Sequence, residues 1–114
     1  MMHFAANYVF TGSNFVRNCC LSFSDEGKLV EIGGENSGLV ERERMIFLNG
    51  IICPYFDTKR LDNNNLHLKD FLFSLDLHFD ENTCLPVVLL EGVDLQTLNF
   101  TNDTVAKEIY YGKG

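Results

Sequence analysis

The sequence contains no tryptophan, no long apolar run and few positive charges. Nine Lys and Arg stand against sixteen Asp and Glu, which gives a formal net charge of -7. A surface that neutralises phosphates needs positive charge, so we expect no binding to nucleic acid. No apolar run reaches the length of a membrane span, and residues 1–20 show no charged segment followed by an apolar one. We therefore expect a cytoplasmic protein that does not bind membranes.

The four cysteines do not form a metal-binding or redox motif. Cys19 and Cys20 are adjacent, whereas Cys53 and Cys84 stand alone, so no CxxC spacing exists. Adjacent strand residues point to opposite faces, so Cys19 and Cys20 cannot both serve one site without a bulge. We expect reduced and mostly buried thiols, because free cysteine behaves as a small hydrophobe.

A sequence of 114 residues has room for one domain with a modest core. The hydrophobic fraction of 46%, with 12% aromatic residues, is ordinary for a folded globular protein. Ten Phe are present, so the core is expected to depend on Phe together with Leu, Val and Ile.

Short apolar or alternating segments, separated by turn residues, predict strands in both halves of the chain. The segments are 3–10, 15–23, 28–32, 45–53, 86–90 and 104–111. The alternation in 15–23 predicts that Phe15, Cys19, Leu21 and Phe23 share one face, with one lapse at Arg17. Asp25-Glu26-Gly27 predicts a tight turn, and the turn signal Asn49-Gly50 interrupts the segment 45–53.

The middle of the chain fits two patterns. Leu68, Phe71, Leu72 and Leu75 have helical spacing, with Asn64 or Asn65 as a possible N-cap. The apolar residues at 71, 73, 75, 77 and 79 also alternate as they would in a strand. We favour a short helix over about 65–76. The sequence thus predicts a mainly β fold, a small β-sandwich or barrel with one short helix or extra strand in the middle.

The order of motifs along the chain resembles a known family. The segments "AxYVFT", "DEGKLVEIG" and "NGIICPxF" occur in that order over residues 4–62, and "PVVLLEGVDLQTLNFTNDTVAKEI" follows near the end. This resembles the amidohydrolase superfamily, in particular its deaminase and chlorohydrolase branch. In that family a small β-sandwich, the composite domain, is assembled from both ends of the chain, and a catalytic (β/α)8 barrel lies between them.

The resemblance implies one composite-type domain over residues 1–114. Its N-terminal part would be 1–62, its C-terminal part 84–114, and residues 63–83 would replace the barrel. A barrel of this kind needs roughly 200 residues or more, so this connection is far too short to contain one.

The resemblance also implies the loss of the family's metal site. In the family, the strand that carries "PGF" continues into "VNxHxH", whose two histidines bind the catalytic metal. Here Pro54 and Phe56 match, Tyr55 replaces the Gly, and Arg60 and Asp62 occupy the histidine positions. Arg60 cannot ligate a cation, because its guanidinium stays protonated. We therefore expect no metal, no cofactor and no catalytic residue of the family in this chain.

The other residues of the sequence offer few candidates for a different metal-binding or catalytic site. His3, His67 and His78 are separate in the sequence, and we expect three ordinary histidines that are exposed or half-buried. Asp76, His78, Asp80 and Glu81 have the chemistry of cation ligands but no recognised loop spacing, so a solvated turn is expected. GxSxG, GxGxxG and Walker motifs are absent from the sequence.

These observations favour a non-catalytic, stand-alone composite-type domain with a structural or interaction role. A free copy must cover the apolar surface that the barrel would cover, so we expect a homodimer. One alternative is an accessory part of a metal-dependent C–N hydrolase or deaminase that acts with a separate barrel chain. Another is a small-ligand-binding module that uses the Phe-rich interior.

Overall fold

The strands form one sheet in the computed structural model, which describes residues 2–33, 45–61 and 67–110. Within these ranges there are seven strands: β1 (Met2–Phe10), β2 (Phe15–Arg17), β3 (Cys20–Phe23), β4 (Leu29–Gly33), β5 (Met45–Cys53), β6 (Val87–Glu91) and β7 (Val105–Ile109). One α-helix, α1, covers Leu68–Ser74, and a short 3-10 helix covers Thr58–Arg60. The predicted mainly β class is confirmed.

The order of strands in the sheet is β4-β3-β1-β5-β6-β7, and β2 pairs with β1. The pair β1–β5 is parallel, and the other strand pairs are antiparallel. A bridge between Lys28 and Cys84 also joins the segment before β4 to the segment before β6. On either side of it, the Leu29 amide donates to Thr83 across 2.9 Å and the Leu85 amide donates to Gly27 across 2.8 Å. The sheet therefore curls until the start of β4 meets the segment that leads into β6.

Two buried clusters lie on opposite faces of this curled sheet. The inner cluster consists of Phe4, Ala6, Val9, Cys19, Leu21, Phe23, Leu29, Ile52, Val87 and Leu89. The helix-side cluster consists of Phe10, Ile51, Cys53, Phe56, Leu68, Phe71, Leu72, Val88 and Leu90. Because β6 contributes alternate residues to both clusters, it is buried on both faces and has a continuous apolar sequence.

A bulge lies where β1 and β5 pair. Ala6 pairs with Leu48 and Tyr8 with Ile51, so two residues of β5 stand opposite one residue of β1. Asn49-Gly50 therefore lies within a continuous strand, where the sequence pattern suggested an interruption by a turn. The alternation of β1 shifts at the bulge, because Ala6 and Val9 both face the inner cluster.

The predicted strand 15–23 is two strands in the structure. β2 ends at Arg17, and Asn18 has a φ of +52°, which breaks the extended backbone before β3 begins. Phe15 consequently packs on the helix-side cluster, whereas Leu21 lies in the inner cluster. The prediction that these two residues share a face was wrong, because a left-handed residue between strands resets the alternation.

The central helix is confirmed over Leu68–Ser74, inside the predicted range of about 65–76. Leu68, Phe71 and Leu72 are its buried residues, as their spacing predicted. The helix ends where Asp76 takes a φ of +54°. The alternative strand pattern over residues 71–79 is wrong, and the suggested N-caps Asn64 and Asn65 lie outside the described residues.

Candidate functional site

The carboxyl end of β5 leads out of the core to the surface. Ile51, Ile52 and Cys53 are fully buried, Pro54 is buried, and Tyr55 is 49% exposed. Burial raises the pKa of the Cys53 thiol well above its ordinary value, so this thiol stays protonated and is a poor nucleophile. Phe56 then turns back into the helix-side cluster, where its ring meets the Phe71 ring edge-on at 5.7 Å. Tyr55 is thus held in place between two buried residues.

The positions that match the family's metal ligands follow this strand end. Arg60 is exposed at the end of the 3-10 helix Thr58–Arg60, and Asp62 lies outside the described residues. Asp57 begins the 3-10 helix, since its side chain accepts a hydrogen bond from the Lys59 amide across 3.0 Å. This stretch carries two adjacent cationic side chains, Lys59 and Arg60, which repel a metal ion.

A surface cleft opens beside Tyr55, and we call it the β5-end cleft. Its walls are Tyr55, Cys84, Pro86 and Tyr110, and its volume is about 420 Å³. Tyr110 is 48% exposed and donates its hydroxyl hydrogen bond to Glu108. That hydrogen bond raises the pKa of Tyr110, so the phenol remains neutral over the physiological range. Two half-exposed aromatic rings beside a proline make a surface suited to an apolar partner.

A second cleft continues from the first past Tyr55 and Cys84. Its volume is about 290 Å³, and its other walls include Asp76, Leu77 and His78. His78 Nε2 lies 3.6 Å from Asp80 Oδ2, and both side chains are at least half exposed. The two clefts together place apolar and polar side chains along one surface, from β7 to the segment that follows α1.

The three histidines occupy different environments. His3 is buried, at 9% exposed, so the expectation of an exposed or half-buried side chain was wrong there. Its position inside β1 buries it, and its Nδ1 lies 2.7 Å from Ser22 Oγ. His67 is exposed at the start of α1, where its side chain makes no capping hydrogen bond. His78 lines the second cleft. Within residues 2–33, 45–61 and 67–110, no group of three or more His, Cys, Asp or Glu is arranged to hold a metal ion.

The acidic segment 76–81 leads into a turn over residues 80–83, which side-chain-to-backbone hydrogen bonds stabilise. Asp80 Oδ1 accepts a hydrogen bond from the Asn82 amide across 2.8 Å, and Thr83 Oγ1 accepts one from the Asp80 amide across 2.9 Å. The Asp80 carboxylate is therefore engaged in an Asx turn. This agrees with the expectation of a solvated turn in this segment.

Three of the four cysteines are buried and one is exposed. Cys19, Cys20 and Cys53 are buried, whereas Cys84 is exposed in the wall of the β5-end cleft. Burial, together with the neighbouring Cys20, raises the pKa of Cys19 to about 11. Cys84 is thus the thiol of this chain that a surface reagent reaches first.

Sequence reasoning identified Tyr55 only as a departure from a glycine and did not identify the cleft around it. Tyr110 is 55 positions further along the chain, and Pro86 and Cys84 come from the segment before β6. Only the antiparallel pairs β5–β6 and β6–β7 bring these residues together. No local spacing in the sequence signals that arrangement.

Among the residues that the structure describes, no helix is both long and apolar enough to cross a membrane. Comparisons of this chain with protein-family models, with curated proteins and with solved structures found no match.

Proposed function

We propose that this chain is a non-catalytic β domain, of the composite type that it resembles, and that it acts by binding a protein surface through the β5-end cleft. The occupant that we propose is a second copy of the chain, which gives a homodimer. The observation that carries the proposal is the pair of half-exposed rings, Tyr55 and Tyr110, at the place where the resembled family continues into its barrel.

The sequence of the strand end supports a non-catalytic role. The positions that match the metal-binding histidines hold Arg60 and Asp62, and one carboxylate beside cationic side chains is a poor metal site. The other family residues would come from barrel strands, for which residues 63–83 leave no room. A surface that binds protein needs neither a metal site nor the residues of a barrel.

The chemistry of the cleft supports a protein partner. Tyrosine is enriched where proteins bind one another, because it buries a large ring and keeps a polar hydroxyl at the rim. Tyr110 meets that description, since its hydroxyl is bound to Glu108 at the surface. In a chain with a net charge of -7, two copies repel each other at long range, so their contact must depend on apolar burial.

The alternative of a small-ligand-binding module has less support, because none of four clefts among the described residues reaches the buried Phe side chains of the interior. The clefts described above, and two others along β4 and beside Arg17, are open to the surface. The five buried Phe side chains line none of these four clefts. They are Phe4, Phe10, Phe23, Phe56 and Phe71.

Sedimentation velocity over a wide range of protein concentrations tests the proposal. We expect a concentration-dependent dimer that is weakened at least about tenfold in the double variant Tyr55→Ser/Tyr110→Ser. The matched control is Phe47→Ser, which removes an aromatic ring that is 61% exposed in the other half of β5. A wild-type protein that stays monomeric at every concentration would overturn the homodimer. Loss of the dimer in the control alone would place the interface elsewhere and overturn the assignment of the cleft.

A further inference from the structure

The end of the sheet that lies away from the β5-end cleft carries two sulfur side chains and an imidazole on one face. β1 lies between β3 and β5 at this end. His3 of β1 pairs with Ser22 on one side and with Met45 on the other, and Ala5 pairs with Cys20. Paired residues point to the same face of a sheet, so His3, Cys20 and Met45 share one face.

One contact joins the two sulfur atoms, and a second holds the His3 ring against the strand that carries Cys20. Cys20 Sγ lies 4.0 Å from Met45 Sδ, although their strands are separated by β1. The Met45 side chain therefore passes over β1 to reach Cys20. His3 Nδ1 lies 2.7 Å from Ser22 Oγ, on the strand that also carries Cys20. Cys20 is 4% exposed, His3 is 9% exposed, and Met45 is half-buried.

We propose that Cys20, Met45 and His3 form a binding site for a single Cu(I) ion. A thiolate and a thioether are soft ligands, which select Cu(I), and imidazole is a common ligand of copper. Met is not among the ligands that zinc sites use, so the same set is poorly suited to Zn²⁺. This site does not depend on the proposed dimer and lies at different residues.

The distance between the two sulfur atoms fits one shared metal ion. Metal–thiolate bonds in proteins are about 2.3 Å long. Two sulfur ligands at the angle of about 120° that three-coordinate Cu(I) adopts are then about 4.0 Å apart, by the geometry of that bond length. The sulfur atoms of Cys20 and Met45 are 4.0 Å apart. Little rearrangement of these two side chains is therefore needed to bind the ion.

Ser22 acts as a positioning residue for His3. When Nδ1 donates its hydrogen to Ser22 Oγ, the lone pair lies on Nε2, which is then the nitrogen that ligates the metal. Binding replaces the Cys20 thiol proton with Cu(I), and the proton leaves to the solvent. No electron is transferred in this step, because the copper enters as Cu(I).

The test uses Cys84→Ser protein, so that the exposed thiol does not compete for metal. This protein is titrated without oxygen with tetrakis(acetonitrile)copper(I) in the presence of a chromophoric Cu(I) chelator. We expect one equivalent of Cu(I) to be bound, with a thiolate-to-copper absorption band in the ultraviolet. Adding Cys20→Ser should abolish the band, and adding Met45→Leu or His3→Gln should lower the affinity at least about tenfold. Adding Ser22→Ala should lower it by about 10- to 100-fold without removing the band.

Met2→Leu in the same background is the matched control. Met2 is also half-buried in β1, but it packs against the inner cluster, so its loss should leave Cu(I) affinity unchanged. Unaltered Cu(I) stoichiometry and absorption in the Cys20→Ser protein would overturn the proposal. Binding of Zn²⁺ as tight as that of Cu(I) would overturn the choice of metal.

X-ray absorption of the loaded Cys84→Ser protein tests the same site without a variant that affects folding. Two sulfur neighbours and one nitrogen neighbour around copper are expected. A shell of nitrogen and oxygen alone would overturn the site.

Discussion

The side-chain oxygen Oδ1 of Asn7 in β1 accepts a hydrogen bond from the backbone amide of Gly50 in β5, across 2.7 Å. This bond spans the bulge at which two residues of β5 stand opposite one residue of β1. The bulge leaves the Gly50 amide without its regular partner in the β1–β5 ladder, and the Asn7 side chain supplies one.

Replacing Asn7 should destabilise the sheet at this point. Asn7→Ala leaves the Gly50 amide, which lies in a buried residue, without its acceptor, so we expect the free energy of unfolding to fall by about 1–3 kcal/mol. Urea unfolding followed by circular dichroism measures this. Asn82→Ala, at an exposed position, should change stability by less than about 0.5 kcal/mol. Equal effects of the two variants would contradict the importance of the Asn7–Gly50 bond.

A second prediction concerns the backbone of Gly50. Its φ is +149°, and a Cβ atom there would lie 2.3 Å from the Leu90 carbonyl oxygen of β6. Gly50→Ala therefore combines an unfavourable backbone conformation with a collision against the neighbouring strand. We expect a loss of about 3 kcal/mol or more, measured by urea unfolding.

Gly27→Ala separates these two effects. Gly27 has a φ of +83°, but the nearest atoms to an added Cβ, on Leu85, are 3.8 Å away. Only the backbone cost of about 1–2 kcal/mol should then appear. A loss at Gly27 as large as that at Gly50 would show that β6 does not approach β5 as closely as described.

The third prediction tests the packing of α1 on the sheet. Leu72 is fully buried in the helix-side cluster, so Leu72→Ala should cost about 2–5 kcal/mol of unfolding free energy. Lys69→Ala, on the exposed side of the same helix, should change stability by less than about 0.5 kcal/mol. If residues 68–74 were instead an exposed segment, the two variants would have similar small effects in thermal or urea unfolding.

The fourth prediction is a loss of stability at alkaline pH. Burial raises the pKa of Cys53, and burial together with Cys20 raises that of Cys19 to about 11. An unfolded thiol ionises near a pH of about 8.5, so below that pH both states keep their protons and stability is unaffected. Above it, the unfolded chain releases protons that the folded chain retains, and the free energy of unfolding falls as pH rises.

Urea unfolding at a series of pH values checks this. The Cys19 contribution should be lost between a pH of about 8.5 and about 11. Cys84→Ser, which removes an exposed thiol, should keep the same pH profile, whereas Cys19→Ala should make it shallower. Stability that stays constant over this range would contradict the burial of these thiols.

The pattern of residues was sufficient to predict most of the local structure. Val87 to Leu90 form a continuous apolar run and lie in a strand buried on both faces, because each face has a cluster to fill. The spacing of Leu68, Phe71 and Leu72 predicted the helical face. The break at Asn18 and the bulge at Gly50 were missed, because both depend on how a strand meets its neighbours.

The sequence by itself determined the mainly β class of this protein, most of its strands and the buried face of α1, since alternation and helical spacing act over a few residues. Only the tertiary structure decided which strands became neighbours. The parallel pairing of β1 with β5 places Met45 beside His3, and the pairing of β1 with β3 brings Cys20 to the same face. The order β5-β6-β7 places Tyr110 beside Tyr55. Both candidate sites join residues that are far apart in the chain, because strand pairing and the burial of two apolar faces are collective properties of the whole sheet.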